Sequence, residues 1–163
     1  MKTAVLYYSL TGNTEDTARR IADAMGADLI PLIPKKAYPA AGFKKFFWGG
    51  KSAVMEEAPA LEPYVFHAED YDCVIFGTPI WAGTMAPPLR TALREQRQAL
   101  QGKAVAAFAC SGGSGAGKTF EKMKGELGLS SFRAQLHLVD PKGRQTEENA
   151  RKIAAFCQQL LAQ

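Results

Sequence analysis

The sequence predicts an α/β fold, a doubly wound parallel sheet with helices on both faces. Three observations predict it. Short apolar runs alternate with amphipathic stretches at helical spacing, about five times over. The first run, Ala4-Val5-Leu6-Tyr7-Tyr8, is apolar throughout, as a strand covered on both faces is. The chain has 163 residues, 47% hydrophobic and 22% charged, which suits one globular domain over residues 1–163 with a single ordinary core.

Taken in order, the loop Ser9-Leu10-Thr11-Gly12-Asn13-Thr14 follows the first strand. Ala18, Ile21, Ala22 and Met25 then recur at helical spacing, and Gly26 ends that helix. Leu29-Ile30-Pro31-Leu32-Ile33 reads as a second strand, near a sheet edge because of its proline. Residues 34 to 70 are poorly periodic, with a helix expected over Phe43 to Met55, interrupted at Gly49-Gly50. Cys73-Val74-Ile75-Phe76 is the third strand. Pro87-Pro88 opens a helix with Leu89, Ala92, Leu93 and Leu100 on one face. Ala104 to Phe108 is the fourth strand, followed by a glycine-rich loop and a helix with Phe120, Met123 and Leu127 inward. Gln135 to Val139 is the fifth strand, and residues 146 to 161 form the last helix, with Ala150, Ile153, Cys157 and Leu160 inward.

Charge is unevenly placed. The net charge is +4. Residues 35 to 51 hold five lysines and no acid, and residues 56 to 72 hold six acids and no lysine or arginine. This suits a solvated surface, or a basic patch that steers an acidic partner or phosphorylated substrate. The basic segment matches no nucleic-acid-binding motif, so no nucleic-acid partner is expected. No apolar run approaches the ~18–20 residues of a membrane span, and the start reads as a strand and not as a signal peptide, so no membrane is expected either. The three cysteines, 73, 110 and 157, stand in no metal or redox spacing and fit reduced thiols in a cytoplasmic protein, with no metal site.

In an open parallel sheet, ligands bind beyond the carboxyl ends of the strands, so three loops at that edge are the candidate site. In the first, Ser9, Thr11, Gly12, Asn13 and Thr14 stand between a strand and a helix start. Backbone N–H groups there favour an anion, and the hydroxyls can donate to the same oxygens. The loop has no Lys or Arg, so dipoles alone would hold the anion. An N-cap turn uses the same residue types. The second loop, Gly77-Thr78-Pro79-Ile80-Trp81-Ala82-Gly83-Thr84, presents a tryptophan suited to stacking on a planar ligand, or to folding over the next helix. The third, Cys110-Ser111-Gly112-Gly113-Ser114-Gly115-Ala116-Gly117, lets a ligand approach the backbone closely.

The third loop also contains a decoy. Gly112 to Thr119 matches G-x-x-x-x-G-K-T, and Asp140 ends a later apolar strand, so a P-loop nucleotide binder is one alternative. Against it, only 44 residues follow Thr119, the loop follows the fourth strand and not the first, and the first two loops are left without a role.

The first loop closely fits the S/T-x-T-G-N-T phosphate loop of the flavodoxin family, and the Pro79-Ile80-Trp81-x-Gly83-Thr84 and Gly112-Gly113-Ser114-Gly115 segments resemble loops of a short bacterial flavodoxin-like subfamily. The resemblance covers essentially the whole chain and is to the short-chain form, because residues 126 to 139 leave no room for an inserted loop in the last strand. It implies strand order 2-1-3-4-5 and FMN as cofactor. It places Ser9, Thr11, Gly12, Asn13 and Thr14 on the FMN phosphate. Thr78, Pro79, Ile80, Trp81, Ala82 and Gly83 would lie along one side of the ring, and Ser111, Gly112, Gly113 and Gly115 at its polar edge. Two departures stand out: the third loop has no aromatic residue where the family usually stacks a tyrosine, and the chain is basic where members are usually acidic.

The function implied is an electron carrier, cycling FMN between oxidised, semiquinone and hydroquinone states for a redox partner protein, a reductase or acceptor. The alternative on the same fold is an FMN-dependent NAD(P)H oxidoreductase acting on quinones or other small acceptors. The carrier is favoured by the absence of a second dinucleotide fingerprint. The enzyme is favoured by the segment 42 to 52, where Phe43, Phe46, Phe47 and Trp48 stand among lysines. That segment could form a lid, a substrate pocket or a partner surface, or fill the core.

Overall fold

Strand β1 (Thr3–Tyr7) is buried at every position and lies between β2 (Asp28–Pro31) and β3 (Cys73–Trp81), both parallel to it. The computed structural model describes residues 1–39, 49–113 and 115–162. Strand β4 (Thr84–Met85) folds back antiparallel on β3, while β5 (Ala104–Ser111) and β6 (Gln135–Val139) extend the parallel sheet. The order is β2-β1-β3-β5-β6 with β4 off the path. Among the five parallel strands this is the expected 2-1-3-4-5.

Alternate residues of each strand feed two cores. Val5, Ile75, Ala106 and Phe108 meet helices α1 (Asn13–Met25) and α4 (Glu147–Leu161) on one face. Leu6, Phe76, Val105 and Ala107 meet α2 (Pro87–Gln96) and α3 (Ala116–Leu127) on the other. Each β-α-β connection therefore buries a helix against the sheet, and the winding reverses between β1 and β3. No helix among the described residues is long and apolar enough to cross a membrane.

Several boundaries differ from expectation. Strand β3 does not end at Phe76 but runs on to Trp81, so the second loop is largely strand. Proline is admitted there because β1 has ended: its last pair is Tyr7 with Gly77, and Pro79 pairs only towards β5, on what is locally an edge. Ala82 (φ 49°) and Gly83 (φ 74°) then form a two-residue turn into β4, both in the left-handed region that tight hairpins use. Strand β5 likewise continues past Phe108 to Ser111, paired there with β6. Strand β2 ends at Pro31, and Ile33 is exposed.

Helix α4 buries Asn149, Ile153, Phe156, Cys157 and Leu160, and Ala150 is exposed. Its register is set by the cap: Thr146 Oγ1 accepts the Asn149 N–H, and Asn149 Nδ2 donates to the Arg144 carbonyl. The helix expected over Phe43 to Met55 falls partly in residues 40–48, outside the described residues. Residues 49 to 54 are helical, so Gly49 and Gly50 belong to a helix. A Cβ on Gly49 would lie 3.3 Å from the Trp81 ring, which explains why glycine suits this position.

Gly77 supports a sharper statement. It pairs with Phe108 across β3 and β5, and a Cβ there would fall 2.1 Å from the Phe108 ring. Overpacking costs roughly 1–3 kcal/mol and occasionally more. Gly77→Ala is therefore expected to lower unfolding stability by about 2–3 kcal/mol in a urea titration. Adding Phe108→Leu should recover part of the loss, because neighbouring changes couple.

Candidate functional site

A cavity of about 370 Å³ opens at the carboxyl ends of β1, β3, β5 and β6. It lies where β1 leads to α1 on one face and β3 to α2 on the other, the switch point of the winding. Its size falls in the range of small-molecule and cofactor sites.

Ser9, Leu10, Thr11, Asn13 and Thr14 line one side. Gly12 is the N-cap of α1 at φ 101°, with no side chain capping the first-turn N–H groups. Only glycine adopts this φ cheaply, and the result is a helix N-terminus whose donors face the cavity loop. Ser9 Oγ accepts the Gly12 N–H at 3.2 Å and sets the loop's curl. Thr14 is 1% exposed, and its hydroxyl meets only the weakly bonding Cys110 thiol, with no oxygen or nitrogen partner among the described residues. A buried hydroxyl left unpaired costs about 1–3 kcal/mol, so an oxygen-rich ligand suits this position.

Pro79, Ile80 and Trp81 form the second wall. The Trp81 ring is clamped edge-on by Tyr8 at 5.6 Å and Tyr38 at 5.2 Å between centroids. Burial pushes both phenols well up, so they stay protonated. Trp81 is thus a wall residue held in place by an aromatic cluster. Thr78 does not line the cavity. Its hydroxyl accepts the Ala86 N–H at 3.0 Å and donates to the Pro79 carbonyl, fixing the hairpin to the start of α2. Ala82 and Gly83 make the hairpin turn and also lie outside the lining.

Cys110, Ser111 and Gly112 close the third side. Gly113 and Gly115 lie outside the lining. The Gly113 N–H donates to Ser111 Oγ, and Gly115 caps α3 at φ 99°, where an added Cβ would lie 3.5 Å from Gly83 and Ile80. Ser111 Oγ is also 2.7 Å from His137 Nε2, and burial followed by the Lys152 charge holds that imidazole below its usual range. Burial pushes the Cys110 thiol up to about 11, with the Thr17 hydroxyl opposing, so it is no nucleophile at neutral pH. The P-loop-like stretch is not arranged for nucleotide phosphates. Lys118 is exposed, and Thr119 is buried with its hydroxyl donating to the Gly115 carbonyl at 2.9 Å.

A fourth loop, after β6, also reaches the site. Asp140 and Arg144 line the cavity, and the Lys142 N–H donates to Asn13 Oδ1 at 2.9 Å. Two cationic side chains of this segment thus stand near the first loop, the Lys142 ammonium beside Gly12 and Arg144 in the cavity wall. The only local signal was the cluster Asp140-Pro141-Lys142-Gly143-Arg144 at a strand end.

The family model described as Flavodoxin matches residues 2–151. A Bacteroides eggerthii protein that carries the provisional name flavoprotein is similar at 28% identity and TM-score 0.79, covering 99% of this chain and 98% of that one. A Lactobacillus acidophilus flavoprotein in complex with FMN is similar at 22% identity and TM-score 0.72, covering 86% and 94%. Oxidised Flavodoxin 1 from Bacillus cereus aligns at 17% identity and TM-score 0.61, covering 99% and 98%.

Proposed function

The chain belongs to the flavodoxin family, and on that premise we propose that it binds FMN in the cavity beyond β1, β3 and β5 and carries electrons for a redox partner protein. The carrying observation is the pairing of two features on one loop. The first turn of α1 has no side-chain cap, and Thr14 has a buried hydroxyl whose one neighbour for hydrogen bonding is the weak Cys110 thiol. Both suit a phosphate group. The similarity to the Lactobacillus acidophilus flavoprotein in complex with FMN supports the reading.

FMN, when bound, supplies one- and two-electron chemistry that no side chain offers. The chain's part is to hold and shield it. Thr11, Thr14 and the α1 N–H groups take the phosphate. Trp81, immobilised by Tyr8 and Tyr38, provides a flat wall with little rotamer freedom left to lose. Ser111, already oriented by Gly113 and His137, presents a hydroxyl to a polar ring edge. Three buried free thiols agree with a reducing cytoplasmic setting.

One observation favours the second reading, an FMN-dependent NAD(P)H oxidoreductase. A cavity of about 430 Å³, with Lys36, Tyr38 and Glu57 in its wall, adjoins the site through the Tyr38–Trp81 contact. Anaerobic mixing of the FMN-loaded protein with NADPH separates the two. The carrier is expected to keep its yellow colour until a reductase is added. Prompt bleaching by NADPH alone establishes the oxidoreductase, and failure to take up FMN overturns both.

A further inference from the structure

Lys142 reaches the phosphate loop from the other end of the chain. A Cβ placed on Gly12 would fall 2.9 Å from Lys142 Nζ, so the ammonium hangs directly over the α1 N-cap. Its main chain is tied to the same loop through the N–H bond to Asn13 Oδ1. The turn that carries it is fixed by its own main-chain bonds. Asp140 adopts φ 43°, its N–H donates to the Ser111 carbonyl at 2.9 Å, and its carbonyl accepts the Arg144 N–H at 2.8 Å. A Cβ on Gly143 would fall 2.5 Å from the Asp140 carboxylate, so glycine lets that carboxylate lie against the turn.

The neighbouring charges are otherwise matched. Glu15 pairs with Arg19, Asp16 with Arg20, and Asp140 faces Arg144 at 4.0 Å. Lys142 makes no ion pair among the described residues, and its ammonium stands over the glycine two positions before Thr14.

We propose that Lys142 is a phosphate ligand of this chain. Its ammonium binds the terminal phosphate dianion of a flavin mononucleotide seated on the Ser9–Thr14 loop, which makes the site selective for the phosphorylated flavin over riboflavin. The inference rests on the FMN reading above. A charge-assisted contact adds to the neutral donors of the loop, and its exposure to solvent makes it sensitive to salt.

The test is a pair of titrations, FMN and riboflavin, followed by flavin fluorescence quenching at low and high salt. The proteins are wild type, Lys142→Ala and Lys142→Arg. Lys142→Ala keeps the N–H bond to Asn13, so the apo melting temperature serves as a folding control. The expected result is a roughly tenfold loss of FMN affinity in Lys142→Ala with riboflavin unchanged, a weaker salt dependence in that variant, and recovery in Lys142→Arg. The phosphorus-31 resonance of bound FMN gives an independent reading: the phosphate should stay dianionic to lower pH in wild type than in Lys142→Ala. Wild-type FMN binding that is equally tight and equally salt-dependent in Lys142→Ala overturns the role of Lys142 and leaves the FMN site standing. Absence of FMN binding by wild type overturns both.

Discussion

Replacing Thr11 and Thr14 together by valine is expected to weaken FMN binding by at least two orders of magnitude while leaving the apo fold intact. Hydrogen bonds to charged groups are worth about 1.5–3 kcal/mol, so even Thr14→Val alone should cost about 10- to 150-fold. The sign of the stability change identifies the cause. The Thr14 hydroxyl is buried with only the weakly bonding Cys110 thiol beside it, so valine, of nearly the same shape, gives up little in the apo protein. Apo Thr14→Val should therefore unfold at the same urea concentration as wild type or a higher one. Riboflavin, which lacks the phosphate, should bind wild type and the variant alike. If the double variant binds FMN as tightly as wild type, the phosphate lies elsewhere and the loop is a plain N-cap turn.

Glu126→Ala is expected to be the most damaging single surface-adjacent change to stability, by about 3–5 kcal/mol. Arg90 on α2 has a side chain only 1% exposed, and its Nε sits 3.1 Å from Glu126 Oε1 on α3. The same guanidinium reaches the Thr84 hydroxyl and the Glu57 carbonyl, joining the hairpin and the long excursion to the helices. Removing Glu126 takes the counter-charge from this buried cation and leaves it two long hydrogen bonds of 3.4 Å. Arg90→Met should do much less harm, because it removes the buried charge itself and Glu126 retains Arg94 at 2.7 Å.

The pair also has a pH signature. Partial burial pushes the Glu126 carboxyl up, but hydrogen bonds and charge from Arg94 and Arg90 outweigh it and hold the group below the usual 4.5. The unfolded chain therefore binds the proton more readily. The stabilisation is complete above the unfolded value and is lost as pH falls through the depressed folded one. Urea midpoints measured downwards from neutral pH should show an acid loss in wild type that is reduced in Glu126→Ala. An identical acid profile in the two proteins would sink this account.

The legible and illegible parts of the chain divide by range. Val5, Ile75 and Phe108 belong to unbroken apolar runs, and such runs mark strands covered on both faces whatever surrounds them. Ile21, Phe120 and Met123 recur at helical spacing, and a helix must bury that stripe. Strand ends were less legible. Gly77-Thr78-Pro79 has the composition of a loop, and it continues β3 because β5 supplies the ladder on one side while β1 has already stopped. Ala150 was misplaced because the Thr146–Asn149 cap, and not apolar spacing alone, sets the rotation of α4.

Local pattern, by itself, determined the number and order of the parallel βα units and located three candidate loops at their carboxyl ends. The S/T-x-T-G-N-T match tied the first of those loops to phosphate. Tertiary structure decided what surrounds them. It folded Trp81 between Tyr8 and Tyr38, gave the Thr78 hydroxyl to Ala86, and brought Lys142 over Gly12. The physical reason is that backbone periodicity records only what a residue's near neighbours require. A contact such as Lys142 with Asn13 spans 129 residues and exists only because β1 and β6 end at the same edge of one sheet.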